Sequence, residues 1–139
     1  SGEEQWTLDA SVVSSPTVAD GTVFVTTAGG LIGALAAATG DKQWAFETKS
    51  SLHSSPTVAG ETVIFESLRN VYALDAATGA QQWVFASGGR SSPTVVDGTV
   101  FVGSDDTNVY ALRAGVAAES EGSRVRLGTL GHHSERRIA

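Results

Sequence analysis

The stretch SSPTVAGETVIFESLRNVYALDAATGAQQWVF, residues 54–85, carries the architecture of this chain, because its pieces recur on either side of it. SSPTV stands at Ser14–Val18, Ser54–Val58 and Ser91–Val95, at intervals of 40 and 37 residues. Tryptophan returns at Trp6, Trp44 and Trp83, at intervals of 38 and 39. Ala-Thr-Gly closes two copies, at Ala38–Gly40 and Ala77–Gly79. Three markers with one period make this a repeat protein, and the period predicts a unit of supersecondary size.

Each unit reads as β-structure. Thr22-Val23-Phe24-Val25, Thr62-Val63-Ile64-Phe65 and Thr99-Val100-Phe101-Val102 are β-branched and aromatic runs. Asp20-Gly21 and Asp97-Gly98 are hairpin turn pairs, with Gly60-Glu61 as a looser version in the middle copy. A third run, Asn70-Val71-Tyr72-Ala73-Leu74, returns as Asn108-Val109-Tyr110-Ala111-Leu112, and a fourth carries each tryptophan, as in Gln43-Trp44-Ala45-Phe46. Four short strands per period make one blade of a β-propeller. Ala34–Ala38 is rich in alanine but too short for a helix, and Gly40 stops it. The expected class is all-β, with about three four-stranded antiparallel blades.

The spacing alanine, any residue, aspartate, three residues, glycine, three residues, tryptophan is matched in full by Ala73, Asp75, Gly79 and Trp83. Ala34, Gly40 and Trp44 match it with Ala36 in the aspartate's place, and Gly2 and Trp6 match the end of an earlier copy. On these residues the chain, over roughly residues 1 to 112, resembles the β-propellers built from PQQ-like (pyrroloquinoline-quinone-like) repeats. In such folds the tryptophans pack between neighbouring blades, and the Thr-Gly pair turns the chain between the third and fourth strands. Asp75 would hold that turn by accepting backbone N–H bonds. The resemblance implies structural docking roles for Trp6, Ala34, Gly40, Trp44, Ala73, Asp75, Gly79 and Trp83. It does not imply a bound quinone. Quinone dehydrogenases resembling the family carry long insertions that supply calcium ligands and a catalytic aspartate, and the connections here are short. Other members resembling it are non-enzymatic scaffolds, such as the outer-membrane assembly lipoprotein, or sensor domains.

Composition removes several function classes. The chain has 139 residues, 41% of them hydrophobic, and no cysteine, so disulfides, thiolate metal sites and cysteine nucleophiles are excluded. A net charge of -6 argues against non-specific nucleic-acid binding, which needs clustered cations. No apolar run is long enough to span a membrane, and no leader opens the chain, although the resemblance suggests an extracytoplasmic setting. No nucleophile elbow, phosphate-binding loop or zinc-spaced cluster appears, so no catalytic residue, metal or cofactor is expected. PQQ with calcium would enter only if the chain belonged to a larger dehydrogenase.

Three places invite a functional reading. Ser104-Asp105-Asp106-Thr107-Asn108 is rich in oxygen ligands, yet lies between two strands where Asp and Asn form turns. His132-His133 sits in an Arg-rich tail. The position before each SSPTV is Val13, His53 or Arg90, so a rigid strand framework carries an apolar, a titratable and a cationic residue in turn. These three are the candidate binding residues, at a channel mouth, for an anionic or polar ligand. Their bland alternative is a set of solvated loop residues.

Counting strands from Trp6 gives a lone fourth strand, two full blades and three strands of a last one. Three blades fall short of the usual four to eight. The expectation is a fragment of a longer propeller, or copies that assemble into a six-bladed homodimer with each Trp6 strand completing its partner's last blade. Residues 113–139 break the pattern, as a disordered tail, as an irregular outer strand at Arg124-Val125-Arg126-Leu127, or as a terminus never selected to fold. The function expected is a non-catalytic module that mediates protein interaction. A dehydrogenase fragment and an extracellular sensor domain are the alternatives.

Overall fold

The computed structural model describes residues 1–114 and, for the backbone, residues 123–125. Twelve strands form three four-stranded antiparallel sheets. The first sheet is β1 (Thr17–Ala19), β2 (Thr22–Thr26), β3 (Leu31–Ala36) and β4 (Lys42–Glu47). The second is β5 (Thr57–Ala59), β6 (Thr62–Glu66), β7 (Val71–Asp75) and β8 (Gln81–Phe85). The third is β9 (Thr94–Val96), β10 (Thr99–Gly103), β11 (Val109–Arg113) and β12 (Ser123–Val125). Strands are neighbours in chain order within every sheet, which is the blade meander that the repeat predicts. No helix occurs among the described residues.

The tight reversals follow from backbone sterics. Asp20 and Gly21 have φ of 49° and 76°, and Asp97 and Gly98 have 50° and 78°. Positive φ at both central residues matches the right-handed twist of the flanking strands. In the matching β5–β6 turn of the middle sheet Gly60 takes the left-handed conformation and Glu61 does not. At the outer edge, Ala34 faces Trp44 and Ala73 faces Trp83, and the register slips by one residue just beyond each pair. Such a bulge bends the strand locally.

Packing between sheets alternates by strand face. Phe24, Ile32, Ala34 and Trp44 of the first sheet bury against Val63, Phe65, Tyr72 and Leu74 of the second. Ile64, Val71, Ala73 and Trp83 of the second bury against Val100, Val102, Tyr110 and Leu112 of the third. The core is therefore two seams. The second sheet contributes both of its faces, which explains why every residue of β6 is buried.

One expectation is corrected. Trp6 was expected within a strand, but the residues around it form none; the third sheet takes its fourth strand from Ser123–Val125, through Val109↔Val125, Tyr110↔Arg124 and Ala111↔Ser123. A strand needs an edge to pair with, and the described residues offer no third strand beside Trp6. Of the Arg-rich tail, residues 115–122 and 126–139, including His132-His133, lie outside the described residues.

Candidate functional site

Antiparallel order puts the β1–β2 and β3–β4 turns at one end of each sheet, and the β2–β3 turns and sheet-to-sheet connections at the other. The second end holds the three predicted positions. Val13, His53 and Arg90 are all exposed there, at equivalent points of the connections entering the three sheets. The backbone under them is tied to the neighbouring β2–β3, β6–β7 and β10–β11 turns in a repeating way. Ala28 N donates to Ser11 O at 3.0 Å, Leu68 N to Ser51 O at 3.1 Å, and Asp105 N to Gly88 O at 3.0 Å. An exposed, chemically varied rim thus sits on a regular frame.

The SSPTV segments build that frame. Thr17 Oγ1 donates to Pro56 O and Thr57 Oγ1 to Pro93 O, both at 2.6 Å, so innermost strands are laced to their neighbours. The leading serine of each segment reaches the end of the second strand. Ser14 Oγ and Thr26 Oγ1 are 2.6 Å apart, Ser54 Oγ donates to Glu66 O at 3.1 Å, and Gly103 N donates to Ser91 Oγ at 3.1 Å. Sequence reading saw the repetition of these serines without their purpose.

It also missed Glu66. This residue stands in register with Thr26 and Gly103, yet it is a carboxyl with no solvent exposure at the seam between the second and third sheets. Its Oε1 lies 2.9 Å from Ser91 Oγ, while its Oε2 has no partner among the described residues. Burial raises its pKa from 4.5 to about 7, against the hydrogen bonds from Ser91 and with added repulsion from Asp105. Ser91 Oγ has one proton and two acceptors in reach, Glu66 Oε1 and Gly103 O at 3.0 Å. The signal that could have revealed it is a charge ending the apolar run Thr62–Glu66 where the sister copies have threonine and glycine.

The acidic stretch after β10 forms a turn. Asp106 Oδ1 accepts from Asn108 N at 3.0 Å, and its Oδ2 accepts from the Tyr110 hydroxyl. Burial works to raise its pKa, but bonds from Tyr110, Asn108, Ser104 and Ser87 together hold it below the usual range. Among the described residues no three His, Asp or Glu side chains converge as cation ligands. No helix among them is long and apolar enough to cross a membrane.

At the outer edge Trp44 Nε1 donates to Ala76 O at 2.9 Å, and its ring lies where a Cβ on Gly79 would come within 2.6 Å. Trp6 repeats this with Ala37 O at 2.8 Å and Gly40 at 2.7 Å. Gly40 and Gly79 hold φ of 81° and 80°, so glycine serves both the turn and the close ring contact. Asp75 Oδ1 accepts from Ala77 N and Thr78 N at 2.9 and 3.1 Å. Trp83 is buried, but its Nε1 has no partner among the described residues.

These repeated contacts agree with a comparison of families: the model described as outer membrane protein assembly factor BamB matches residues 1–115. The chain belongs to the PQQ-like repeat β-propeller family. Among solved members of this fold, BamB from Moraxella catarrhalis superposes with a TM-score of 0.75 at 25% identity, over 87% of this chain and 38% of that one. The quinohemoprotein alcohol dehydrogenase ADHIIG from Pseudomonas putida HK5 gives 0.70 at 22% identity, over 86% and 22%. The computationally designed Ika4 protein gives 0.71 at 15% identity, over 91% and 79%. The last two likenesses concern the fold alone. This PQQ-like chain spans well under half of BamB and of the dehydrogenase. A search of curated proteins returns no match.

Proposed function

We propose that the chain is a non-catalytic scaffold that presents its rim of Val13, His53 and Arg90 to a protein partner in an extracytoplasmic setting. The observation that carries this reading is the contrast between the exposed, varied rim and the laced frame beneath it. A rigid frame lowers the ordering cost of binding. The family match to an outer membrane protein assembly factor supports a role in protein interaction. In this role the tryptophans and the Asp75 turn serve packing, and the rim residues supply contact.

A photo-reactive residue at Val13 tests it, in native extract of the source cells. One discrete protein should be trapped, and the yield should fall about tenfold in the H53A/R90A double variant. A yield unchanged by that variant overturns the rim as the contact surface.

A further inference from the structure

At the end of the sheets opposite the rim, the turns leave a groove between the first and second sheets. Its volume is about 230 Å³, and Ala19, Phe24, Val58 and Ala76 give it an apolar floor. Phe24 is buried in the seam, and the other three are partly buried side chains packed on the same core. Three carboxylates line the groove as well: Asp20 from the β1–β2 turn, Glu61 from the β5–β6 turn and Asp75 from the end of β7. Asp20 and Glu61 are exposed, which puts them at its mouth, and Asp75 is half-buried. Among the described residues no Lys, Arg or His lines the groove, and none of the three carboxylates pairs with a cation.

The frame around the groove is fixed. Ala76 N donates to Glu61 O at 2.8 Å, which ties two turns of the second sheet together. Asp75 Oδ1 holds its own turn through Ala77 N and Thr78 N, while Oδ2 has no hydrogen bond among the described residues. Gly60 lines the groove without a side chain, and a Cβ built there would meet nothing within 4 Å, so the mouth is unobstructed on that side.

The repeat does not require this acidity. By register, the second seam has Gly60, Gly98 and Arg113 at the positions of Asp20, Glu61 and Asp75. Its one carboxylate at these turns is Asp97, in the place of Gly60. Equivalent positions therefore carry three carboxylates at the first seam, and one carboxylate beside a cation at the second. Turn geometry and packing serve both seams alike, so neither imposes the charge on the first.

We propose that this groove takes an arginine side chain from an exposed segment of a partner protein. The aliphatic stem would lie on Ala19, Val58 and Ala76, and the guanidinium among Asp20, Glu61 and Asp75. An apolar floor with an acidic mouth matches a side chain that is apolar along its stem and cationic at its head. The volume is below the roughly 300–1,000 Å³ of pockets for drug-sized ligands, so it suits a single side chain. Carboxylates arriving from three turns suit a guanidinium, whose N–H donors spread in a plane, better than the compact ammonium of lysine. The groove and the rim of Val13, His53 and Arg90 lie at opposite ends of the sheets, so this inference stands apart from the rim and its partner.

The probe is the peptide acetyl-Gly-Arg-Gly-amide, titrated into the isotopically labelled chain and followed by amide chemical shifts. Shifts should centre on residues 20–22, 60–62 and 76–77. Citrulline in place of the arginine keeps the shape, removes the charge and should weaken binding about tenfold or more. A lysine peptide should bind more weakly than the arginine peptide. The D20N/E61Q/D75N variant should also lose about tenfold or more in affinity. Asparagine tolerates the φ of 49° at position 20 and can accept the turn bonds at position 75, so the variant's unfolding midpoint should stay in place. A wild type without these shifts, shifts centred on other turns, a citrulline or lysine peptide that binds as tightly, or a triple variant that keeps its affinity overturns the proposal.

Discussion

The two seams of this protein share one plan and differ in how completely they satisfy it. Between the first and second sheets, the Trp44 indole has its carbonyl, and the polar position at the end of β2 is Thr26, whose Oγ1 meets Ser14 Oγ and donates to Ser54 O at 3.3 Å. Between the second and third sheets, the Trp83 indole has no partner among the described residues, and the same polar position is Glu66, one of whose oxygens has none among them either. Apolar packing is alike in both, so the difference is one of polar satisfaction. An unsatisfied buried donor or acceptor costs about 1–3 kcal/mol, comparable to the burial of one apolar side chain. A repeat can thus reproduce a seam's shape without reproducing its stability.

Truncating each tryptophan probes the comparison most strongly. Trp44→Ala should cost about 3–5 kcal/mol through the lost volume and hydrogen bond. Trp83→Ala should cost about 1 kcal/mol less, because no bond is lost with it. Denaturant unfolding of both variants checks the ranking, and equal costs would erase the distinction between the seams.

The second probe is pH. Glu66 binds its proton more tightly in the folded chain, at about 7, than at its ordinary value of 4.5. The folded state therefore carries the extra proton between these values, and stability falls as pH rises through that window. It is greatest below the lower value and level above the upper one, with a total loss of about 3 kcal/mol. Asp106 acts in the opposite sense at lower pH, where protonation removes its bonds from Tyr110 and Asn108. Glu66→Gln should flatten the slope between pH 4.5 and about pH 7. A slope that survives in this variant would assign the titration to another group.

The finest probe is Trp44→Phe against Trp83→Phe. The first strips the Ala76 carbonyl of its donor, while the second removes an N–H with no acceptor among the described residues, so the first should cost about 1–2 kcal/mol more. Thermal unfolding of the pair resolves a difference of that size.

Much of the architecture was legible because it depends on local pattern. The β-branched runs, the Asp-Gly pairs and the period of the tryptophans specified three meanders in the order observed, and the turn held by Asp75 was implied by the resemblance to PQQ-like repeats. The edge of the third sheet could not be read. Which segment pairs with β11 depends on the edges available in space, and both the Trp6 segment and the stretch around Arg124 were conceivable strands. For the candidate site, the exposure of Val13, His53 and Arg90 agrees with their place before SSPTV. The state of Glu66 was hidden, because a glutamate at a strand end is ordinarily solvated.

By itself, then, the sequence determined the repeat, the all-β class and the family, since strand period, turn chemistry and motif spacing are properties of neighbours along the chain. Only the tertiary structure decided which face of each sheet is covered, which polar groups are left without a partner, and that Glu66 lies where water cannot reach it. Those outcomes depend on contacts between residues some 25 to 40 positions apart, as between Glu66 and Ser91 or Thr17 and Pro56. Burial, unlike strand propensity, exists only once the sheets have met.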